Sequence, residues 1–94
     1  MFILIAYDVA TNDKAGARRL RRVARACQDY GQRVQNSVFE CRVDAHQWTL
    51  LRDRLLREIN VKEDALRFYF LDRDATIENH GCKKPVDLEA PLIF

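Results

Sequence analysis

Residues Phe2-Ile3-Leu4-Ile5-Ala6-Tyr7-Asp8 form an apolar run that stops on an acid and gives way to the polar stretch Thr11, Asn12, Asp13. A short run of this kind, rich in β-branched and aromatic residues, predicts a buried strand. Alternation places Phe2, Leu4 and Ala6 on one face and Ile3, Ile5 and Tyr7 on the other. Both sets are apolar, so both sides of the sheet around this strand call for cover.

Working outward, Asn12 or Asp13 caps a helix that runs to about Tyr30, with Gly31 as its C-terminal stop. At 100° per residue, Leu20, Val23, Ala24 and Cys27 share one side of it. Lys14, Arg18, Arg21, Arg22 and Arg25 share the opposite sector. Arg33 to Val43 reads as a hairpin turning near Gln35-Asn36. Asp44 or Ala45 starts a second helix, in which Trp48, Leu51, Leu55 and Ile59 recur at helical spacing. Ala65 to Asp72 is the last strand, with Leu66, Phe68 and Phe70 on one face and Arg67 and Tyr69 on the other.

Strand, helix, hairpin, helix, strand is the ferredoxin-like βαββαβ order, an α+β fold with a four-stranded antiparallel sheet. Two helices cover only one face of such a sheet. The apolar second face of the first strand therefore predicts a two-fold homodimer. After Asp74 the pattern weakens, and an apolar close at Leu92-Ile93-Phe94 predicts that a C-terminal tail of about residues 75–94 packs on the dimer, as an extra strand or otherwise.

The bulk composition agrees with one small domain spanning 1–94. Hydrophobic residues make up 48% and aromatics 10%, enough for a core, while Gly 3 and Pro 2 leave no room for a linker. A chain of this size buries only about 60–65% of its unfolded surface, which again favours a partner subunit. No apolar run approaches a membrane span, and the uncharged start is unlike a signal peptide. Cys27, Cys41 and Cys82 are odd in number and widely spaced, as expected of reduced thiols in a cytoplasmic protein. The net charge of +2 implicates no polyanion, but its distribution does: residues 1–43 carry 8 basic and 4 acidic side chains, residues 44–94 carry 8 and 10.

Two features bear on chemistry. Asp8 ends a buried strand, so the backbone fixes its carboxylate at the rim of the sheet. Mg²⁺ takes one or two carboxylates, keeps several waters and uses phosphate oxygens for the rest, and one Asp8 per subunit doubled by a two-fold axis suits such a site. An aspartate there also suits a cap for the following loop, and spacing leaves both open. The second feature is the basic helix. Residues 14–28 hold six cations and no acid, and none lies at i±4 from Arg18, Arg21 or Arg22 to neutralise them. Such a stripe matches a nucleic-acid backbone, by phosphate contact rather than base readout. His46 and His80 have no zinc-site spacing, and Ser37 has no histidine near it in sequence. Phe39 fits either the core or, with Ser37, a substrate or dimer groove.

The first 43 residues also carry a motif series: Tyr7-Asp8-Val9, an Arg-rich helix with Arg22-Val23-Ala24-Arg25, Tyr30-Gly31, Arg33-Val34-Gln35 and Ser37-Val38-Phe39-Glu40-Cys41. This resembles the CRISPR-associated protein two family, the small partner of the integrase in spacer acquisition. The resemblance implies a ferredoxin-like homodimer in which two Asp8 residues face each other and share Mg²⁺ or Mn²⁺. It implies metal-dependent endonuclease chemistry on RNA or DNA in some members, and in others a structural adaptor that bridges integrase dimers. A related virulence-associated RNA-cleaving toxin shares the fold. Carried over by position, Tyr7 and Asp8 are the catalytic strand-end pair, Arg18 or Arg19 is the helix-start arginine, and Arg33 and Phe39 lie in the second motif. The nucleic-acid contacts are then Lys14, Arg18, Arg19, Arg21, Arg22, Arg25 and Arg33.

Overall fold

The computed structural model describes residues 1–71, 74–78 and 80. Six elements follow in order: β1 (Phe2–Asp8), α1 (Lys14–Tyr30), β2 (Gly31–Gln35), β3 (Val38–Arg42), α2 (Ala45–Glu58) and β4 (Ala65–Leu71). The strands form one antiparallel sheet in the order β2-β3-β1-β4. This is the expected ferredoxin-like βαββαβ arrangement. The expected packing of the tail falls almost wholly outside the described residues, as does Cys82.

Local signals account for both helix starts. Asp13 caps α1 by accepting from the Gly16 N–H at 2.7 Å. Asp44 caps α2 through a reciprocal capping box with Gln47, whose backbone N–H lies 2.7 Å from the Asp44 carboxylate. The helices lay Val23, Ala26, Cys27, Trp48, Leu51 and Leu55 against Ile3, Ile5, Tyr7, Phe39 and Cys41, which form a single core. Trp48 meets Phe68 edge-on at 4.8 Å and Phe70 at 5.6 Å, closing the β4 side. Full burial of a side chain such as Leu51 or Phe39 stabilises by about 1.5–3 kcal/mol.

On the second face of β1, Leu4 and Ala6 are only half-buried, beside Val38, Glu40, Arg67 and Tyr69. Phe2 is buried on that side, with the Arg42 guanidinium 4.0 Å from its ring centroid. The face is therefore mixed, apolar at its centre and charged around it.

Two boundaries differ from expectation. β2 begins at Gly31 rather than Arg33, and the hairpin turns at Asn36–Ser37. Gly31 has φ −156° and ψ −164°, an extended conformation and not a left-handed stop. Its requirement is space: a Cβ there would run into the Glu40 carbonyl oxygen and the Cys41 sulfur of the paired strand. Helix α1 ends because the chain enters the sheet at once.

Candidate functional site

The end of β1, the β2–β3 turn and the loop before β4 meet at one rim of the sheet. Asp8 stands there exposed, paired in register with Ala65. The neighbouring loops are capped by other carboxylates. Asp64 accepts from the Ala10 N–H at 3.1 Å, the Asn60 N–H at 2.8 Å and the Arg19 Nε at 2.9 Å, while Asp13 caps α1. Arg19 also donates to Glu63 at 3.2 Å. Among the described residues Asp8 makes no side-chain hydrogen bond or ion pair. Its alternative role as a loop cap is thus taken by Asp64, and its oxygens remain available.

Burial works to raise the Asp64 carboxyl, but the Arg19 hydrogen bond and the two backbone N–H groups outweigh it and hold the group below its ordinary value. Sequence reasoning missed Asp64. An acid just before a strand carries no local signal, and its main partner lies 45 residues away.

A hard divalent cation suits the carboxylate oxygens of Asp8. Among the described residues Asp8 is the rim carboxylate left without a partner, and no group of three or more His, Cys, Asp or Glu side chains gathers there. A second Asp8, if a second copy of the chain brought it here, would complete a donor set suited to Mg²⁺ or Mn²⁺.

Tyr7, expected as the catalytic neighbour of Asp8, is placed away from that rim. It alternates to the helix side, where it is buried, stacks on Phe39 at 6.2 Å and donates to the Asn36 carbonyl at 3.3 Å. Burial pushes its phenol up to about 12, against the opposing charge of Arg33. A phenol so held neither takes nor gives protons readily at neutral pH. Its backbone N–H bonds the Ser37 carbonyl at 3.0 Å, so Tyr7 clamps the hairpin turn beside Asp8.

Phe39 is fully buried in the core, the first of the two placements its position allows. Ser37 is half-buried in the turn, with its carbonyl engaged by Tyr7. Arg33 is half-buried: its guanidinium lies 5.0 Å from the Phe39 centroid, and its Nε is buried with no hydrogen-bond partner among the described residues. The cation covers the aromatic pair at the sheet edge.

The arginine stripe divides. Lys14, Arg18, Arg21, Arg22 and Arg25 all lie on the solvent side of α1. Arg19 leaves the set, because its guanidinium is committed to Asp64 and Glu63. Arg22 lies 3.7 Å from Glu58 of α2, an acid that i±4 spacing does not reveal. Arg25 lies 3.5 Å from Asp29, which Arg54 of α2 holds at 2.7 Å. Among the described residues Lys14, Arg18 and Arg21 form no ion pair and are the uncompensated part of the surface. Exposed pairs such as Arg25–Asp29 are weak and yield readily to a phosphate.

Cys27 and Cys41 are free thiols buried in the core, and burial pushes them up to about 12 and about 11. They are packing residues rather than nucleophiles. No helix among the described residues is long and apolar enough to cross a membrane.

Known proteins resemble this chain in sequence and in fold. The sequence model of the family described as CRISPR associated protein Cas2 matches residues 1–76. A protein of Chlorobaculum tepidum named CRISPR-associated endoribonuclease Cas2 is 56% identical over 96 residues, covering 100% of both chains. One of Halalkalibacterium halodurans, named CRISPR-associated endonuclease Cas2, is 52% identical with the same coverage. The crystal structure of Streptococcus pyogenes Cas2 superposes with a TM-score of 0.76 at 47% identity, covering 86% of this chain and 100% of that one.

Proposed function

From the premise that this chain belongs to the CRISPR-associated Cas2 family, we propose that it is a cytoplasmic homodimer that binds nucleic acid and hydrolyses phosphodiesters with Mg²⁺ or Mn²⁺ held between two Asp8 residues. The observation that carries this reading is the unengaged Asp8 carboxylate at a rim whose loops are capped by Asp64 and Asp13. Relatives named as an endoribonuclease and an endonuclease support hydrolytic chemistry and leave RNA and DNA both in play. The bound metal would supply an activated water and charge stabilisation at the phosphoryl oxygens. Asp8 would hold the cation, and Arg18, Arg21 and Lys14 would hold the backbone of the substrate. The half-buried Leu4, Ala6 and Val38 on the open face of the sheet support dimerisation through that side.

A second role has its own support. The stripe on α1 is far longer than a hydrolytic site needs, and five cations along one helix suit the tracking of a duplex. In this role the dimer holds DNA for the integrase of CRISPR adaptation, and Asp8 is dispensable.

Calorimetric titration of Mn²⁺ into wild type and Asp8→Asn, with cleavage assays on RNA and duplex DNA, tests the reading. Expected are one cation per two chains in the wild type, and loss of both binding and cleavage in Asp8→Asn with dimerisation intact. Cleavage that survives in Asp8→Asn overturns the catalytic reading. Spacer insertion that survives in Asp8→Asn assigns the biological role to the adaptor. A stable monomer near 11 kDa in sedimentation removes the shared site altogether.

A further inference from the structure

We infer that Asp64 is a positioning residue for Asp8: with Arg19, its buried carboxylate holds the chain on both sides of the rim so that the Asp8 oxygens are presented in one place. The inference rests on the reading of Asp8 as a metal ligand.

Three observations carry it. The first is the cost of the arrangement. The Asp64 side chain is 0% exposed and ionised, and a buried charge persists only when donors surround it. Here they do: Ala10 N–H and Arg19 Nη2 reach Oδ1 at 3.1 and 3.3 Å, and Asn60 N–H and Arg19 Nε reach Oδ2 at 2.8 and 2.9 Å. Removing the carboxylate strands a largely buried arginine and two loop N–H groups.

The second is placement. Ala10 follows Asp8 by two residues, and Ala65, the neighbour of Asp64, is the register partner of Asp8. One carboxylate therefore ties down the chain that leaves β1 and the chain that enters β4, with Asp8 between them.

The third is the close seat of the same loop on α1. A Cβ at Gly16 would run into the Ala10 carbonyl oxygen, so only glycine lets the first turn of the helix approach. Ala10 is gripped through its N–H by Asp64 and walled at its carbonyl by Gly16. Two carboxylates that share a small cation need their oxygens held within about 0.5 Å, and a strand end frays unless the chain beyond it is tied down. Asp64 itself is no ligand, because it is enclosed and its oxygens are occupied.

The test is Mn²⁺ calorimetry on full-length wild type, Asp8→Asn, Asp64→Asn and Arg19→Lys, with circular dichroism, sedimentation and amide exchange at Ala10. Groups hydrogen-bonded to metal ligands typically govern affinity by about 10–100-fold, and Asp64, which acts on Asp8 through the backbone, belongs at the low end of that range. Asp64→Asn is expected to keep its secondary structure and dimer, to weaken Mn²⁺ binding about tenfold or more, and to speed exchange at Ala10. Arg19→Lys, which keeps the charge and loses the fork, is expected to fall between. Binding that is lost in Asp8→Asn and unchanged in Asp64→Asn overturns the positioning role alone. Absence of any Asp8-dependent Mn²⁺ binding in the wild type instead overturns the metal reading, and this inference with it. Should Asp64→Asn not fold, wild-type affinity and Ala10 exchange in Arg19→Lys overturn the proposal, and weakened affinity sustains it.

Discussion

Tyr7 and Asp8 are consecutive in the chain and lie on opposite faces of β1, Tyr7 buried against Phe39 and the Asp8 carboxylate in solvent. The pleat alone imposes this, since successive side chains of a strand point to opposite sides. The pair therefore acts in two different ways. Tyr7 anchors the hairpin turn from inside the core, and Asp8 is free to bind at the rim.

Tyr7→Phe should leave metal binding and cleavage nearly unchanged. It removes one 3.3 Å hydrogen bond to a carbonyl at an exposed turn and keeps the ring stack, so the loss in stability should be about 0.5–1.5 kcal/mol. Urea unfolding alongside a cleavage assay checks both halves. A large fall in rate without unfolding would return Tyr7 to the chemistry.

Neutralising the stripe should separate affinity from fold. Arg18→Gln with Arg21→Gln should weaken duplex binding and reduce the slope of log affinity against log salt by about 0.9 for each phosphate that is no longer neutralised, with little change in melting temperature. Adding Arg22→Gln and Arg25→Gln should extend the effect, at the small stability cost of two exposed ion pairs. The weakening should be nearly independent of sequence. Filter binding across a salt series reads the slope, and an unchanged slope for the quadruple variant would make this an idle surface.

Gly31→Ala should destabilise by about 1–3 kcal/mol, because the added methyl meets the Glu40 carbonyl of a paired strand that has little freedom to withdraw. The backbone angles suit alanine, so the whole cost is steric. Chemical denaturation measures it, and a neutral result would mean that β2 and β3 separate more easily than their pairing implies.

Stability should fall in acid. Among the described residues two carboxyls are held below their ordinary values: Asp64, where Arg19 and backbone donors overcome burial, and Asp29, chiefly through its hydrogen bond from Arg54. A depressed folded value means that the unfolded chain binds protons more readily. Their contribution is therefore complete above the unfolded carboxylate value of about 3.9 and is lost as pH falls through the lower folded values. Urea midpoints measured from neutral pH down to about 2.5 should drop in the acid range, below that unfolded value. Asp64→Asn should flatten that drop while lowering stability at neutral pH.

Much of the fold is legible in short-range pattern. The apolar run ending at Asp8, the caps at Asp13 and Asp44, and the recurrence of Trp48, Leu51 and Leu55 each depend on neighbours within a few residues. Together they yield the βαββαβ order. The motif series of the first 43 residues is enough to point to the family. The site is legible only as residue types. Asp8 stands out because it ends a strand, but a cap and a ligand have the same spacing there.

By itself, then, the sequence determined the element order, both helix starts to within a residue, most of the core stripe of each helix and the concentration of cations on α1, since all of these follow from periodicity and local hydrogen bonding. Tertiary structure alone decided which charges are free. Asp64 claims Arg19 across 45 residues, and Glu58 reaches Arg22 from the other helix. Arg33 folds over a phenylalanine that the hairpin register buries, and Gly31 is needed for the approach of two strands rather than for a turn. Each of these joins segments that are distant in the chain or paired across the sheet, set by how the sheet and helices pack, and no local pattern encodes it.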